Sequence, residues 1–294
     1  MKKYNLVTVL GWEDRFLLGL KIILKEFTLQ SIVIIQFEDY LSMENMKTNY
    51  DEILNLSKEY GFTISNIKLE YNDSIRNWNI LEEFFIEVKD DYLFNITTIP
   101  RETIWTLFFF LKRKVKMLNY IYFRPQEYCS DWLTKNHRLP RLLFKHSGLF
   151  DLTKKLSLFV IPGFDNSRLE QLVDYYEPSK IVIFYQKGNY FSDGERDTTF
   201  YTFVSRYDCE IIEIDTYEID DTSKVIFEQF EQHRDEYNVI IDSQGPKVSA
   251  LSVYDAYLKS ESTIGLAYVA AKDFNSMYSK GIDENYVFGE FSLI

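Results

Sequence analysis

Short runs of Val, Ile, Leu and Phe recur along the chain, each followed by a longer stretch in which apolar side chains return every three or four positions. In the first part the runs predict strands over 5–10, 31–37, 63–71, 91–97 and 118–123. The stretches between them predict helices over 15–27, 45–60, 75–88 and 101–114. Strands that are apolar throughout, alternating with amphipathic helices, make a parallel sheet with helices on both faces. The same alternation restarts at 156, with strands ending at 161 and covering 180–185, 210–215, 237–241 and 264–269. Helices are predicted over 167–176, 197–207, 223–236 and 248–259. Three residues able to cap a helix precede the one at 75, namely Asn72, Asp73 and Ser74, and Ser74 is the simplest choice.

The two halves echo one another in detail. Leu6–Leu10 followed by Gly11-Trp12-Glu13-Asp14-Arg15 is answered by Leu158–Ile161, Pro162 and Gly163-Phe164-Asp165-Asn166-Ser167-Arg168. Later, Thr97-Thr98-Ile99-Pro100-Arg101 is answered by Asp242-Ser243-Gln244-Gly245-Pro246-Lys247, again between a strand and a helix. The expected fold class is therefore α/β, with two Rossmann-like parallel-sheet halves related by internal duplication and a pseudo-two-fold cleft. The expected division is an N-terminal half over 1–129, a basic connector over 130–155 and a C-terminal half over 156–294. The connector reads as a winged or hairpin element, with a helix–turn–helix as a weaker alternative.

Composition narrows the function. The chain has 294 residues, is 46% hydrophobic and carries a formal net charge of −12, which fits a folded protein and argues against direct binding of duplex DNA. The charge is uneven: ten basic residues face three acids between Arg101 and Lys145. Cys129 and Cys209 form neither a disulfide framework nor a metal pair, and His137, His146 and His233 have no metal-ligand spacing, so no metal and no cofactor are expected. With no long apolar run and no leader pattern, the expectation is a cytoplasmic protein with no membrane segment. Phosphate-loop, dinucleotide-binding, zinc-hydrolase and nucleophile-elbow motifs are absent from the sequence.

In parallel sheets, ligands bind outside the carboxyl ends of the strands, where helix N-termini favour anions. All four echoed loops are expected there. Gly11 and Gly163 allow a sharp turn or close backbone approach, and Glu13, Asp14, Asp165 and Asn166 can cap the next helix. Arg15 and Arg168 could grip a phosphate or carboxylate from the first helical turns, or pair with the neighbouring acids. Thr97, Thr98 and Arg101 in one loop, and Ser243, Gly245 and Lys247 in its counterpart, combine hydroxyls, Pro and a cation at a helix start. The stretch from Asn275 to Ile282 could close over the cleft with Tyr278 stacked on a base, or pack as an irregular tail on the sheet edge.

The loop holding Gly245 and Lys247, with the Val248-Ser249-Ala250-Leu251 helix after it, resembles the CRISPR-associated Rossmann-fold (CARF) superfamily, in which such a loop contacts a nucleotide ligand. The related SAVED domains are similar to two such units fused in one chain. Where that family has Gly-Gly-Thr-Lys, this chain has Gln244-Gly245-Pro246-Lys247. The resemblance implies a sensor or adaptor in antiviral defence that takes a nucleotide or other phosphate-bearing ligand and signals to a partner protein effector or complex. Two other readings stand beside it. One is an enzyme that cleaves or modifies a nucleotide or phosphodiester, using the Thr97, Thr98 and Ser243 hydroxyls with Arg101 and Lys247. The other is a non-catalytic structural subunit of a larger defence complex.

Overall fold

The computed structural model describes residues 2–71, 73–86, 92–128, 132–163, 166–187, 202–283 and 285–294. In chain order, the first part contains β1 (Lys3–Val9), α1 (Asp14–Glu26), β2 (Thr28–Phe37), α2 (Met46–Tyr60), β3 (Thr63–Leu69) and α3 (Ser74–Phe84). It continues through β4 (Tyr92–Asn95), α4 (Arg101–Leu111), β5 (Met117–Tyr122), β6 (Glu127–Tyr128), β7 (Thr134–His137) and β8 (Arg141–Leu142). The second part contains β9 (Lys155–Ile161), α5 (Asn166–Tyr176), β10 (Lys180–Gln186), β11 (Cys209–Ile214), α6 (Ile219–His233) and β12 (Tyr237–Ser243). It closes with α7 (Ser249–Lys259), β13 (Gly265–Tyr268), β14 (Ala271–Phe274), β15 (Ser279–Lys280) and β16 (Val287–Ser292).

Two compact units result, one of Met1–Asp131 with Asn275–Ile294 and one of Trp132–Phe274. Each is built on a six-stranded sheet, ordered β16-β5-β4-β1-β2-β3 in the first and β8-β13-β12-β9-β10-β11 in the second. Within each, five strands run parallel, and the sixth, β16 or β8, lies antiparallel on the outer edge of β5 or β13. This is the expected α/β class with two Rossmann-like halves, and the order of the five parallel strands is the same in both.

Burial explains why these segments form these elements. Leu6 and Val7 of β1 and Ile32, Ile34 and Ile35 of β2 are inaccessible to solvent, as central strands covered on both faces must be. Helix α1 buries Phe16, Leu20, Ile23 and Leu24, a stripe of helical period laid on the sheet. Fully burying each such side chain contributes about 1.5–3 kcal/mol. In the second unit, Leu169, Leu172 and Val173 of α5 close over Leu158, Val160, Ile181 and Ile183.

Several expectations change. Asp73, not Ser74, is the N-cap of α3: its carboxylate accepts from the Arg76 amide at 2.9 Å, and Ser74 is the first helical residue. Helix α6 begins at Ile219 rather than 223, because Glu218 supplies its first acceptor and Asp220 and Asp221 suit the positive end of the helix dipole. The connector carries no helix among the described residues, so the helix–turn–helix alternative falls. Its strands β7 and β8 join the second unit instead. The end of the chain belongs to the first unit, since β16 pairs with β5 along its whole length. Most of the 197–207 helix, the Asn72 and Asp165 cap candidates, Phe164 and Cys129 lie outside the described residues; 202–204 are helical.

Candidate functional site

In both sheets the connections run in opposite directions on either side of one strand pair. From β1 the chain passes through α1 to β2 on one side, while from β4 it passes through α4 to β5 on the other. The β9/β12 pair repeats this in the second unit. Such a switch point opens a crevice at the carboxyl ends of the two strands. The four loops singled out by sequence flank these two crevices.

In the first unit the loops after β1 and β4 are locked together. A Cβ on Gly11 would stand 2.7 Å from the Thr98 methyl, so only glycine admits this approach. The Thr98 hydroxyl donates to the Val9 carbonyl at 2.7 Å, and Asn49 Nδ2 donates to the Gly11 carbonyl at 2.7 Å. The Thr97 hydroxyl accepts from the Phe123 amide at 3.0 Å, with no solvent exposure. Both threonine hydroxyls are thus engaged by backbone where the sequence reading assigns them to a ligand. Arg101 is the first residue of α4 and is partly exposed.

Arg15 takes the alternative the sequence left open, pairing with an acid. Its Nε donates to Glu13 Oε2 at 2.8 Å, and its Nη2 both closes an ion pair with the same oxygen and donates to the Tyr278 hydroxyl at 2.9 Å. Tyr278 in turn donates to Glu13 Oε1 at 2.5 Å, and the Ser279 hydroxyl donates to Glu13 Oε2 at 2.8 Å. Glu13 occupies the N-cap position of α1 without capping it, because its carboxylate serves this network. Burial works against the Arg15 charge, but Glu13 and the surrounding tyrosines outweigh it and hold the guanidinium protonated well above its ordinary range. Burial first, and Glu13 second, push the Tyr278 phenol well up, so it remains a neutral donor. Tyr278 is therefore turned onto Glu13 and Arg15 rather than presented as a stacking platform. Nothing in the sequence pairs Glu13 with residues so distant as Tyr278 and Ser279.

The second unit repeats the close approach with different chemistry. A Cβ on Gly163 would collide with the Gln244 carbonyl, and one on Gly245 would stand 3.0 Å from Ile161 Cγ2. The Gln244 backbone N–H donates to the Ile161 carbonyl at 2.8 Å, tying the two loops. Ser249 donates its hydroxyl to the Pro246 carbonyl at 2.6 Å, so the 2.5 Å contact between the Ser243 and Ser249 hydroxyls has Ser243 as donor. The first amides of α7 bond back to Pro246, Lys247 and Val248, so this helix start offers a ligand fewer N–H groups than the sequence reading assumes. Lys247 stands two residues before α7 and is partly exposed. Arg168, in the first turn of α5, donates to the Thr134 hydroxyl at 3.0 Å, and that hydroxyl lies 3.1 Å from His137 Nε2.

One residue of the loop stands out that the sequence reading passes over. Both polar atoms of the Gln244 side chain are buried with no hydrogen-bond partner among the described residues. A buried amide without partners costs about 1–3 kcal/mol, so such groups mark places where a further polar group belongs. It sits between the Gly163 turn and the Gly245–Lys247 loop. Among the described residues no three His, Cys, Asp or Glu side chains group as metal ligands, and no helix is long and apolar enough to cross a membrane.

No family model matches the sequence, and no curated protein matches it. Among solved structures, the chain is similar to one described as a Type III CRISPR defence DNA nuclease activated by cyclic oligoadenylate. The TM-score is 0.57 at 10% identity, covering 87% of this chain and 64% of that one. The chain thus spans less than two thirds of that nuclease, and at this identity the likeness is one of fold. The cytoplasmic domain of a prokaryotic cation chloride cotransporter aligns over 92% of this chain and 96% of that domain, with 10% identity and a TM-score of 0.31.

Proposed function

We propose that this chain is a non-catalytic sensor that takes a nucleotide or another phosphate-bearing ligand at its switch-point crevices, foremost at the one flanked by Gly163 and Gln244–Lys247, and relays the bound state to a partner protein in antiviral defence. The Gln244 side-chain amide carries the reading: it is a buried donor and acceptor without partners among the described residues, at the place in a doubly wound sheet where ligands bind. An amide of this kind reads a base edge or ribose, while Lys247, and Arg101 in the other unit, supply charge for phosphate. The fold shared with a nuclease described as activated by cyclic oligoadenylate supports the ligand class and the defence context. A common origin of the two halves by duplication fits their equal strand order. The enzyme reading is weaker, because the Thr97, Thr98 and Ser243 hydroxyls it would use are bonded within the fold.

The test is a thermal-shift series on the purified chain with mono-, di- and cyclic oligonucleotides. A ligand at one hundred times its dissociation constant adds about 2.7 kcal/mol. Gln244→Ala should leave the ligand-free melting temperature unchanged or slightly raised, since it removes a buried amide with no partner among the described residues, and should reduce or abolish the ligand shift. Lys247→Ala and Arg101→Ala should weaken the shift with little effect on the ligand-free protein. A panel with no shift defeats the sensor reading in favour of a structural subunit, and turnover of any bound nucleotide defeats the non-catalytic part.

A further inference from the structure

Among the described residues the chain forms two runs of eight strands, β1–β8 and β9–β16, and neither run closes its own sheet. The eighth strand of the first run, β8, pairs with the fifth of the second, β13, while the eighth of the second, β16, pairs with the fifth of the first, β5. The sixth and seventh strands exchange in the same way, β7 with β14 and β15 with β6. Four pairings, all antiparallel, thus cross between the runs in matched order.

The exchanged segments also meet the switch-point loops. In the first unit Tyr278 and Ser279, from the second run, hold Arg15 and Glu13. In the second unit Thr134, from the first run, accepts from Arg168, and His137 lies 3.4 Å from Ser167. Each first-turn arginine is therefore anchored by a hydroxyl that the other run supplies.

We infer that the two runs form a reciprocally interlocked pair, so that the covalent link between β8 and β9 is dispensable and each candidate crevice is completed by the partner run. The naming of the crevices as ligand sites rests on the proposed function; the interlock does not.

The test requires no ligand. A site-specific protease sequence placed between Phe150 and Asp151, beside the exposed Leu149 and Leu152, allows the folded full chain to be cut. The two fragments should co-elute at the volume of the intact chain and separate only in denaturant. Ordinary docking of two self-contained halves could also hold fragments together, so the exchange itself is read by cross-linking. Asn119 and Glu290 face each other between β5 and β16, and Lys135 and Asp273 between β7 and β14. In the cut protein, Asn119→Cys with Glu290→Cys, and independently Lys135→Cys with Asp273→Cys, should each join the fragments into one band that reduction splits. The reduced, uncut variants report folding, and the cut parent chain reports the background of its own two cysteines. Fragments that part under native conditions, or that co-elute while a folded variant of either pair fails to cross-link, overturn the interlock. Neither result bears on whether nucleotides shift the melting temperature.

Discussion

Glu13 and Arg15 are almost wholly withdrawn from water, and the cost of burying two charges is met by an ion pair together with the Tyr278 and Ser279 hydroxyls. Close packing at the loops is equally specific. Gly11→Ala should destabilise by about 1–3 kcal/mol through overpacking against the Thr98 methyl. Adding Thr98→Ser removes that methyl while keeping the hydroxyl donated to Val9, and should recover most of the loss in urea melts; additive losses would show that the methyl is not the obstacle. Burial also raises the phenols of Tyr176, Tyr254, Tyr257 and Tyr278 above their ordinary range. The unfolded chain releases these protons near pH 10, whereas the folded chain retains them, so their contribution to stability is complete below about pH 10 and is lost as pH rises beyond it. Urea midpoints should hold up to that pH and then fall, with the last part of the tyrosinate absorbance appearing only on unfolding. Full tyrosinate absorbance in the still-folded chain would mean these phenols are open to solvent.

At the level of elements, the cap of α3 separates two neighbouring candidates. Asp73→Ala should cost about 1 kcal/mol and Ser74→Ala only a few tenths, measured by chemical denaturation, because only the Asp73 carboxylate meets a first-turn amide; equal costs would refute this assignment. Strands such as β1, β2, β9 and β10 are legible in the sequence because a strand buried on both faces is apolar along its length. Strands β6, β7, β8, β14 and β15 are not: they have two to four residues, as in the polar Thr134–His137, and their partners come from the distant run. Strand β16 alternates Phe288, Glu290 and Ser292 with Val287, Gly289 and Phe291, an edge pattern that reads as a tail until β5 is beside it. The loops of the candidate site are legible for the opposite reason, since Gly, Pro and a cation at a strand end form a local signal. The hydroxyl partners of Arg15 and Arg168 leave no such signal, being set by tertiary pairing alone.

Across the whole molecule, the same five-strand order is built twice, and each copy is finished by the other. A ligand that moved Arg168 would bear on β7, which the first run supplies, and one that moved Arg15 would bear on the segment around Tyr278, which the second run supplies. The connectivity also sets a timetable for synthesis. Strand β5 leaves the ribosome with one edge open and must wait for Val287–Ser292, about 165 residues further along the chain, before that edge is paired. At about 5–20 residues per second, the delay is on the order of ten seconds or more, during which an unpaired strand edge is available to other nascent chains. Production of the native protein is therefore a race between completion of β16 and trapping of the sheet that awaits it, and slowed translation or crowded polysomes should weigh on yield more heavily than the stability of the folded protein would suggest.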